Sequence, residues 1–244
     1  MRFSIITVCY NSATTIKDTL ESIDDQTYKN FEHLVIDGLS TDDTLDILHR
    51  NSSPNRRIVS ELDAGLYEAM NKGIDMSSGE YILFLNADDI FEGIGVLESL
   101  SNDIDLESPD IITNSIRYFG EGPKRKWILS NSKNLKPQPY NIPPHPGFVI
   151  KKKILSYYNI RFDLNYGICA DQKLMLTSLL IPNISILSSS RILINMRHGG
   201  LSSGSIIQRW LEFYKIYTEL GYSSIKSIIF ILKRYWNRIS RQLV

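Results

Sequence analysis

The chain predicts an α/β fold: a mostly parallel central sheet wound on both faces by helices, with a C-terminal helical extension. Three observations predict it. Apolar, β-branched runs alternate four times with amphipathic helical segments over the first 90 residues, and strand–helix alternation of this kind builds parallel sheets. The strand runs are apolar on both faces, as buried parallel strands are. A length of 244 residues with 43% hydrophobic content suffices for one large domain, or one domain with an appendage.

The elements follow in order. Phe3-Ser4-Ile5-Ile6-Thr7-Val8-Cys9 is the first strand, and Ser12 opens a helix whose Ile16, Leu20 and Ile23 share a face. Phe31 to Asp37 is the second strand. Gly38 to Asp43 turns into a helix carrying Leu45, Ile47 and Leu48. Arg57 to Ser60 is a short third strand, Leu66 to Met76 a third helix and Glu80 to Asn86 a fourth strand. After residue 93 the pattern changes. A helix over 94–104 precedes strands near 111–118 and 126–129. A polar loop from Asn131 to Pro146 holds five prolines, and a loop of this length in a compact domain is usually functional or mobile. Gly147 to Ile150 is a strand, Asp171 to Leu180 a helix, 184–195 a strand region, and 204–220 and 223–243 two final helices.

The net charge of zero hides a division. Residues 1–110 hold 22 Asp/Glu against 7 Lys/Arg, and residues 111–244 hold 5 against 20. An acidic half suited to cations adjoins a basic half suited to phosphates or anionic lipid. Cys9 and Cys169 lie far apart in apolar surroundings and are expected to be reduced core residues. Residues 1–8 lead straight into a strand, so no signal peptide is expected.

The chemistry concentrates at Asn86-Ala87-Asp88-Asp89, which ends an apolar run. Two adjacent carboxylates at a strand's C-terminal end are costly unless a cation sits beside them. In an α/β sheet that edge binds ligands, and a divalent cation carrying a diphosphate suits the donor set. A solvated turn or helix cap is the alternative. Asp37 ends the second strand in the same way, where its carboxylate can accept from a base N–H or a ribose hydroxyl. Thr7 and Tyr10 place a hydroxyl and a ring at the first strand's edge, able to hydrogen-bond and stack a nucleobase, although both residue types are ordinary in strands. Asp42 and Asp43 suit a helix dipole and take no catalytic role. The first strand–helix turn contains no glycine, so neither a dinucleotide fingerprint nor a P-loop is present.

Ser4 to Asn11, Gln26-Thr27-Tyr28, Glu32 to Asp42, Asp63 to Gly73 and Gly79 to Asp89 together resemble the N-terminal half of family 2 glycosyltransferases with the GT-A fold. The match is nearly collinear over residues 3–92 and patchier through residue 203. On this resemblance residues 1–203 form the GT-A domain, with a nucleotide-sugar half (1–110) and an acceptor half (111–203), and residues 204–244 form C-terminal helices. The resemblance implies a nucleotide-sugar donor, most often UDP-linked, with Thr7, Tyr10 and Asp37 as nucleoside pocket and Asp63 and Asn71 lining or supporting it. Asp88 and Asp89 would be the Asp-x-Asp-type element, handling ribose and a Mn²⁺ or Mg²⁺ ion that bridges the diphosphate. Asn86 replaces the first acid, which leaves the metal to Asp88 or Asp89. Inverting transfer implies a carboxylate base opening a helix after the acceptor loop. Ile168-Cys169-Ala170-Asp171-Gln172-Lys173 matches, with Ala170 in place of the first acid and Asp171 as the base; a helix cap is its plain alternative. His145, held between prolines, falls near the sugar and acceptor. His198 is implied to reach the metal or diphosphate, with Arg197 adding charge and Gly199 and Gly200 admitting phosphate. His33 and His49 are structural or exposed. Trp127 is a core residue before it is a sugar platform.

Ile225, Ile228, Ile229, Leu232, Trp236, Ile239 and Leu243 fall on one helical stripe. Lys226, Lys233, Arg234, Arg238 and Arg241 lie mostly off it. The apolar run is far short of the ~20 residues that span a bilayer. It suits an interfacial helix on an anionic membrane surface, with packing on the domain or a homodimer partner as the alternative. Nucleic acid is not an expected partner. The expectation is an inverting, metal-dependent glycosyltransferase extending a bacterial-type surface polysaccharide on a saccharide or lipid-linked acceptor, at the cytoplasmic face of the membrane. The competing expectation, motivated by Asn86 and Ala170, is a non-catalytic module that holds nucleotide or glycan.

Overall fold

In the computed structural model, residues 2–121, 125–133, 137–198 and 205–240 are described, with residues 238–240 given without their side chains. The strands are β1 (Phe3–Cys9), β2 (Phe31–Asp37), β3 (Arg56–Ser60), β4 (Tyr81–Phe84), β5 (Ile90–Phe91), β6 (Ile111–Phe119), β7 (Lys126–Trp127), β8 (Ser132–Lys133), β9 (Phe148–Lys151) and β10 (Ile186–Arg197). The helices are α1 (Ile16–Asp24), α2 (Thr44–Arg50), α3 (Leu66–Met76), α4 (Val96–Glu107), α5 (Lys152–Tyr157), α6 (Ala170–Leu179), α7 (Ile206–Glu219) and α8 (Ser224–Ser240).

The strands form one sheet in the order β3-β2-β1-β4-β9-β6-β10-β5, with β7 on β6 and β8 on β10. The helix-linked strands β3, β2, β1 and β4 are parallel. The sheet then becomes mixed. β9 inserts antiparallel between β4 and β6, because the Pro-rich loop delivers it without a helical crossover. The short strands β5 and β8 and helix α5 were not legible in the residue pattern: each is too brief to show a period.

Every residue of β1 is buried, in keeping with its apolar run. α3 lies against it so closely that a Cβ on Gly73 would meet Ile6 Cγ2 at 2.4 Å. The last part of the Pro-rich loop is core rather than surface: Ile142 to Gly147 are buried, ending in a 3₁₀ turn His145–Gly147. Phe213, Ile216 and Tyr217 of α7 and Ile231 of α8 belong to the same apolar cluster as Ile6, Phe84 and Leu174. The C-terminal helices therefore pack into the main core through one face each. Both cysteines are buried and free.

Candidate active site

The C-terminal edges of β1 and β2 carry two loops stitched to each other. Asn11 and Leu39 adopt left-handed backbone, φ 49° and 60°. Asn11 Oδ1 accepts from the Thr41 N–H (2.8 Å), its own N–H donates to Ser40 Oγ (2.9 Å), and the Ser12 N–H donates to Thr44 Oγ1 (2.8 Å). Asp37 sits beneath them, fully buried. It accepts from the Ser40 N–H (3.0 Å), Ser40 Oγ and Ser60 Oγ (2.7 Å). Asp63 approaches over Gly38, where a Cβ would lie 2.9 Å from Asp63 Oδ2. Tyr10 is 62% exposed beside them. Asp37, Asp63 and Tyr10 thus share one edge.

Thr7 does not open onto that edge. It is fully buried, with its Oγ1 2.9 Å from His33 Nε2. Arg56 Nε donates to His33 Nδ1 at 2.9 Å, which fixes the tautomer: Nε2 carries the proton and donates to Thr7. Arg56 in turn pairs with Asp24 at 2.9 Å. Burial, reinforced by the Arg56 charge, holds His33 well below the ordinary histidine range, so it is neutral. Thr7 is the expected donor contact that the structure turns inward.

The Asn86–Asp89 turn separates its two carboxylates. Asp89 is 1% exposed; its Oδ1 accepts from the Arg197 N–H (3.0 Å) and its Oδ2 from Asn86 Nδ2 (3.2 Å). Thr19 Oγ1 donates to its carbonyl at 2.8 Å. Burial, then the charge of Asp88, push the Asp89 carboxyl up to about 8. Asp88 is only partly buried, and burial also raises it, against a lowering by Arg197. Asn86 Oδ1 is buried with no hydrogen-bond partner. Arg197 is committed to the turn and to α1, with Nε on the Asp88 carbonyl (3.3 Å) and a terminal nitrogen on Asp18 (3.1 Å). The His198 ring stacks on Tyr118 at 5.3 Å. Gly199 and Gly200 lie outside the described residues.

Among the described residues no group of three or more His, Cys, Asp or Glu could hold a metal. Asp88, Asp89 and His198 are therefore not assembled as a three-ligand cage. What the turn offers is one accessible carboxylate beside one unpartnered amide oxygen. That donor set fits an ion that takes most of its ligands from water and substrate phosphates.

A second cluster lies between α3, the end of the Pro-rich loop and the segment before α6. Tyr67 of α3 stacks on Phe162 (5.5 Å), Phe162 meets Phe84 edge-on (5.2 Å), and His145 contacts both rings at 5.8 and 5.3 Å. Asn71 holds Phe162 in place with a pair of hydrogen bonds: its Nδ2 donates to the Phe162 carbonyl at 2.8 Å and its Oδ1 accepts from the Phe162 N–H at 2.9 Å. His145 is buried and its Nε2 has no hydrogen-bond partner. Burial lowers its pKa, and the nearby negative charge of Asp171 opposes that. The turn can reach this position because Gly147 has no side chain; a Cβ there would fall 2.3 Å from the Asn114 carbonyl oxygen.

Asp171 stands in the first turn of α6. The Gln172 N–H donates to its Oδ1 (2.8 Å) and Gln172 Nε2 to its Oδ2 (3.0 Å). Tyr67 Oη donates to the Ile168 carbonyl (2.8 Å) and lies 3.4 Å from Asp171 Oδ1. Cys169, not Asp171, occupies the cap position. Each carboxylate oxygen keeps a lone pair for a further donor. The structure thus brings Asp171, His145 and Tyr67 together in one cluster. It gathers Asp37, Asp63 and Tyr10 at the C-terminal edge of β1 and β2. Trp127 packs against the core. The sequence reading missed Tyr67, Phe162 and the His33–Arg56 pair. Tyr67 lies within the Asp63–Gly73 motif, while nothing in the local residue pattern marks the His33–Arg56 pair.

The model for glycosyl transferase family 2 matches residues 4–169. A PGL/p-HBAD biosynthesis glycosyltransferase of Mycobacterium bovis is 28% identical over 99% of this chain and 94% of its own length. A putative teichuronic acid biosynthesis glycosyltransferase, TuaG of Bacillus subtilis, is 37% identical over 35% of each chain. Among solved structures, S. aureus TarS in complex with UDP-GlcNAc superposes with a TM-score of 0.79 at 20% identity, over 96% of this chain and 72% of its own. A mannosyltransferase of Pyrobaculum calidifontis, in complex with GDP-Man and Mn²⁺, gives 0.66 at 16% identity, over 96% and 69%. The mixed sheet with its flanking helices is the GT-A fold of these neighbours.

Proposed function

This chain belongs to glycosyl transferase family 2, and from that premise we propose that it transfers a sugar from a UDP-sugar to a hydroxyl of a saccharide or lipid-linked saccharide, with inversion, in the assembly of a surface polysaccharide. A hexosyl or N-acetylhexosaminyl group is the proposed cargo. The observation that carries the reading is Asp171: a part-buried carboxylate, oriented by two hydrogen bonds from Gln172, with free lone pairs beside His145 and Tyr67. UDP as the carrier is supported by the TarS complexes with UDP and UDP-GlcNAc.

On this reading Asp37 and Asp63 bind the nucleoside, with Tyr10 stacking on its base. A divalent cation, Mn²⁺ or Mg²⁺, would be held by Asp88 and Asn86 Oδ1, and it supplies neutralisation of charge on the leaving diphosphate. Asp89 and the Arg197 backbone fix the turn that presents them. His198, beyond Arg197, stands at the diphosphate end. Asp171 takes the proton of the acceptor hydroxyl as its oxygen attacks the anomeric carbon. The bond to the diphosphate oxygen breaks on the opposite face, and the nucleoside diphosphate leaves with that electron pair. His145, neutral and buried, offers Nε2 to a sugar hydroxyl.

Attachment to the anionic inner face of the cell membrane is part of the proposal. No helix among the described residues is long and apolar enough to cross a membrane. The stripe of α8 nevertheless points outward: Ile225, Ile228, Ile229, Leu232 and Trp236 are exposed, Trp236 by 72%. α7 adds exposed Ile206, Ile207 and Leu211, and Trp210 meets Tyr235 edge-on at 5.9 Å to join the two helices there. Lys226 and Lys233 are exposed on the same helix, as an anionic lipid surface requires.

The test is Asp171→Asn. Retained UDP-sugar binding, read by thermal shift, with transfer reduced about 10²–10⁴-fold is the expected outcome for a lost general base. Normal transfer would remove Asp171 from that role.

A further inference from the structure

Asp171 is held by the C-terminal helices, which no part of the family match reaches. Arg234 of α8 donates to Gln172 Oε1 at 2.5 Å, and Gln172 Nε2 donates to Asp171 Oδ2 at 3.0 Å. The amide thus receives a charge-assisted bond at its oxygen and gives one from its nitrogen. Such a chain polarises along its length, so the cation strengthens the bond on the carboxylate. Arg234 is itself fixed, its guanidinium 4.3 Å over the Phe213 ring of α7.

A second attachment holds the backbone from which α6 begins. Glu212 of α7 accepts from three consecutive N–H groups, Gly167 (3.1 Å), Ile168 (3.0 Å) and Cys169 (2.8 Å), immediately before Ala170 opens the helix. Gln208, one turn earlier, donates to the same carboxylate at 2.9 Å. Burial would raise the Glu212 carboxyl, but these bonds hold it below its ordinary range. These donors precede the helix, where α6 has no acceptor for them, and a carboxylate so near the α6 N-terminus is also favoured by the helix dipole. The approach is close: a Cβ on Gly167 would lie 2.9 Å from Gln208 Nε2. Further along, Lys173 of α6 pairs with Glu219 of α7 at 2.6 Å. The three attachments fix α6 in position, in rotation, and in the rotamer of its first-turn carboxylate.

We propose that Gln172 and Arg234 are positioning residues for Asp171, and that the α7–α8 hairpin, gripping α6 through Glu212, is a working part of the transfer site. The proposal rests on the reading of Asp171 as the base. It assigns the hairpin's inner face to aligning that base, independently of what its outer face touches.

The experiment uses the full chain and two variants that break the relay at different places, Gln172→Leu and Arg234→Met. The methionine keeps aliphatic cover over Phe213. Misplacing a reacting group by ~1 Å costs up to about 10²-fold in rate, so kcat is expected to fall about 10- to 100-fold while donor KM and UDP thermal shift stay within two-fold. Hydrogen-bond donation to a carboxylate favours its charged form, so the acid limb of the kcat–pH profile is expected at higher pH in both variants. Arg234→Lys should restore part of the rate. Added to Asp171→Asn, either change should cost nothing further. Wild-type kcat and pH profile in Gln172→Leu and Arg234→Met, with Asp171→Asn inactive, would overturn the positioning role alone. A fully active Asp171→Asn would overturn the base reading and this one with it. If Arg234→Met loses its fold by circular dichroism, Gln172→Leu tests the same relay at its other end.

Discussion

The backbone N–H of Arg197 donates to Asp89 Oδ1 at 3.0 Å, joining residues 108 positions apart. The last core strand is thereby locked to the turn after β4. Asp89 holds this turn from inside, while its neighbour Asp88 remains on the accessible side. Adjacent carboxylates of one motif therefore do different work, and substitutions should separate them.

Asp88→Asn is expected to leave the melting temperature nearly unchanged and to abolish metal-dependent stabilisation by UDP. Asp89→Ala removes a buried acceptor of two hydrogen bonds and is expected to cost about 2–4 kcal/mol. In a chain of this size that lowers the melting temperature by roughly 5–15 °C. Thermal melts with and without Mn²⁺ and UDP read both effects. Metal-dependent UDP binding surviving Asp88→Asn would take the cation away from Asp88, and an Asp89→Ala chain as stable as wild type would dismiss its structural role.

His33 makes stability fall as pH drops before the ordinary carboxylates titrate, while Asp89, raised to about 8, acts in the opposite sense between pH ~8 and its unfolded value, so the His33 share is read as a difference between wild type and variant. The folded pKa of His33 lies well below the unfolded value near 6.5. Between those two values the unfolded state binds the extra proton, so stability is present above pH ~6.5 and is lost as pH falls toward the folded value, by up to ~1.4 kcal/mol per pH unit. His145, also lowered, adds in the same direction. Glu32, Asp110 and Glu212 have lowered pKa values, so their contributions fade only below the ordinary carboxylate range. Denaturant melts of wild type and His33→Gln from pH 7.5 to 5 test this: the variant should be less stable at pH 7.5, and the gap between the two should narrow as pH falls. Parallel curves would mean that His33 carries no share of the slope.

These assignments show where the residue pattern was informative. The bounds of β2 and α3 could be read directly, since each is a single unbroken run with its own period. The mixed half of the sheet was not legible, because β9 is placed by the route of the Pro-rich loop and not by its own four residues. At the site, the motif residues Asp37, Asp88 and Asp171 stand at element ends, as their chain positions implied. Whether such a residue faces in or out depends on partners far away: Thr7 is turned inward by His33 and Arg56, and Asp89 by Arg197. No local pattern in residues 3–9 or 86–89 contains that information. The α8 stripe was legible as a stripe, and only the packing of Ser227 and Ile231 against the domain shows that the stripe faces away from it.

That outward stripe sets the last expectation. Lys226 and Lys233 are exposed on the flank of the stripe that carries Ile229, Leu232 and Trp236, with the Lys233 ammonium 4.8 Å over the Tyr140 ring, so charge attraction would act alongside apolar burial. Flotation of the full chain with phosphatidylglycerol-containing vesicles should exceed that with phosphatidylcholine alone. It should weaken as salt rises, because the Debye length is only about 8 Å at physiological ionic strength. Each basic residue near an anionic surface contributes about 1 kcal/mol, so Lys226→Gln with Lys233→Gln should reduce binding by roughly 30-fold. Leu232→Glu with Trp236→Glu should remove it while leaving the melt intact, because both side chains are exposed and make no part of the core. Equal binding to neutral vesicles would argue against the electrostatic component. Absence of flotation, together with a concentration-dependent dimer in sedimentation that Trp236→Glu dissolves, would assign this face to a second copy of the chain.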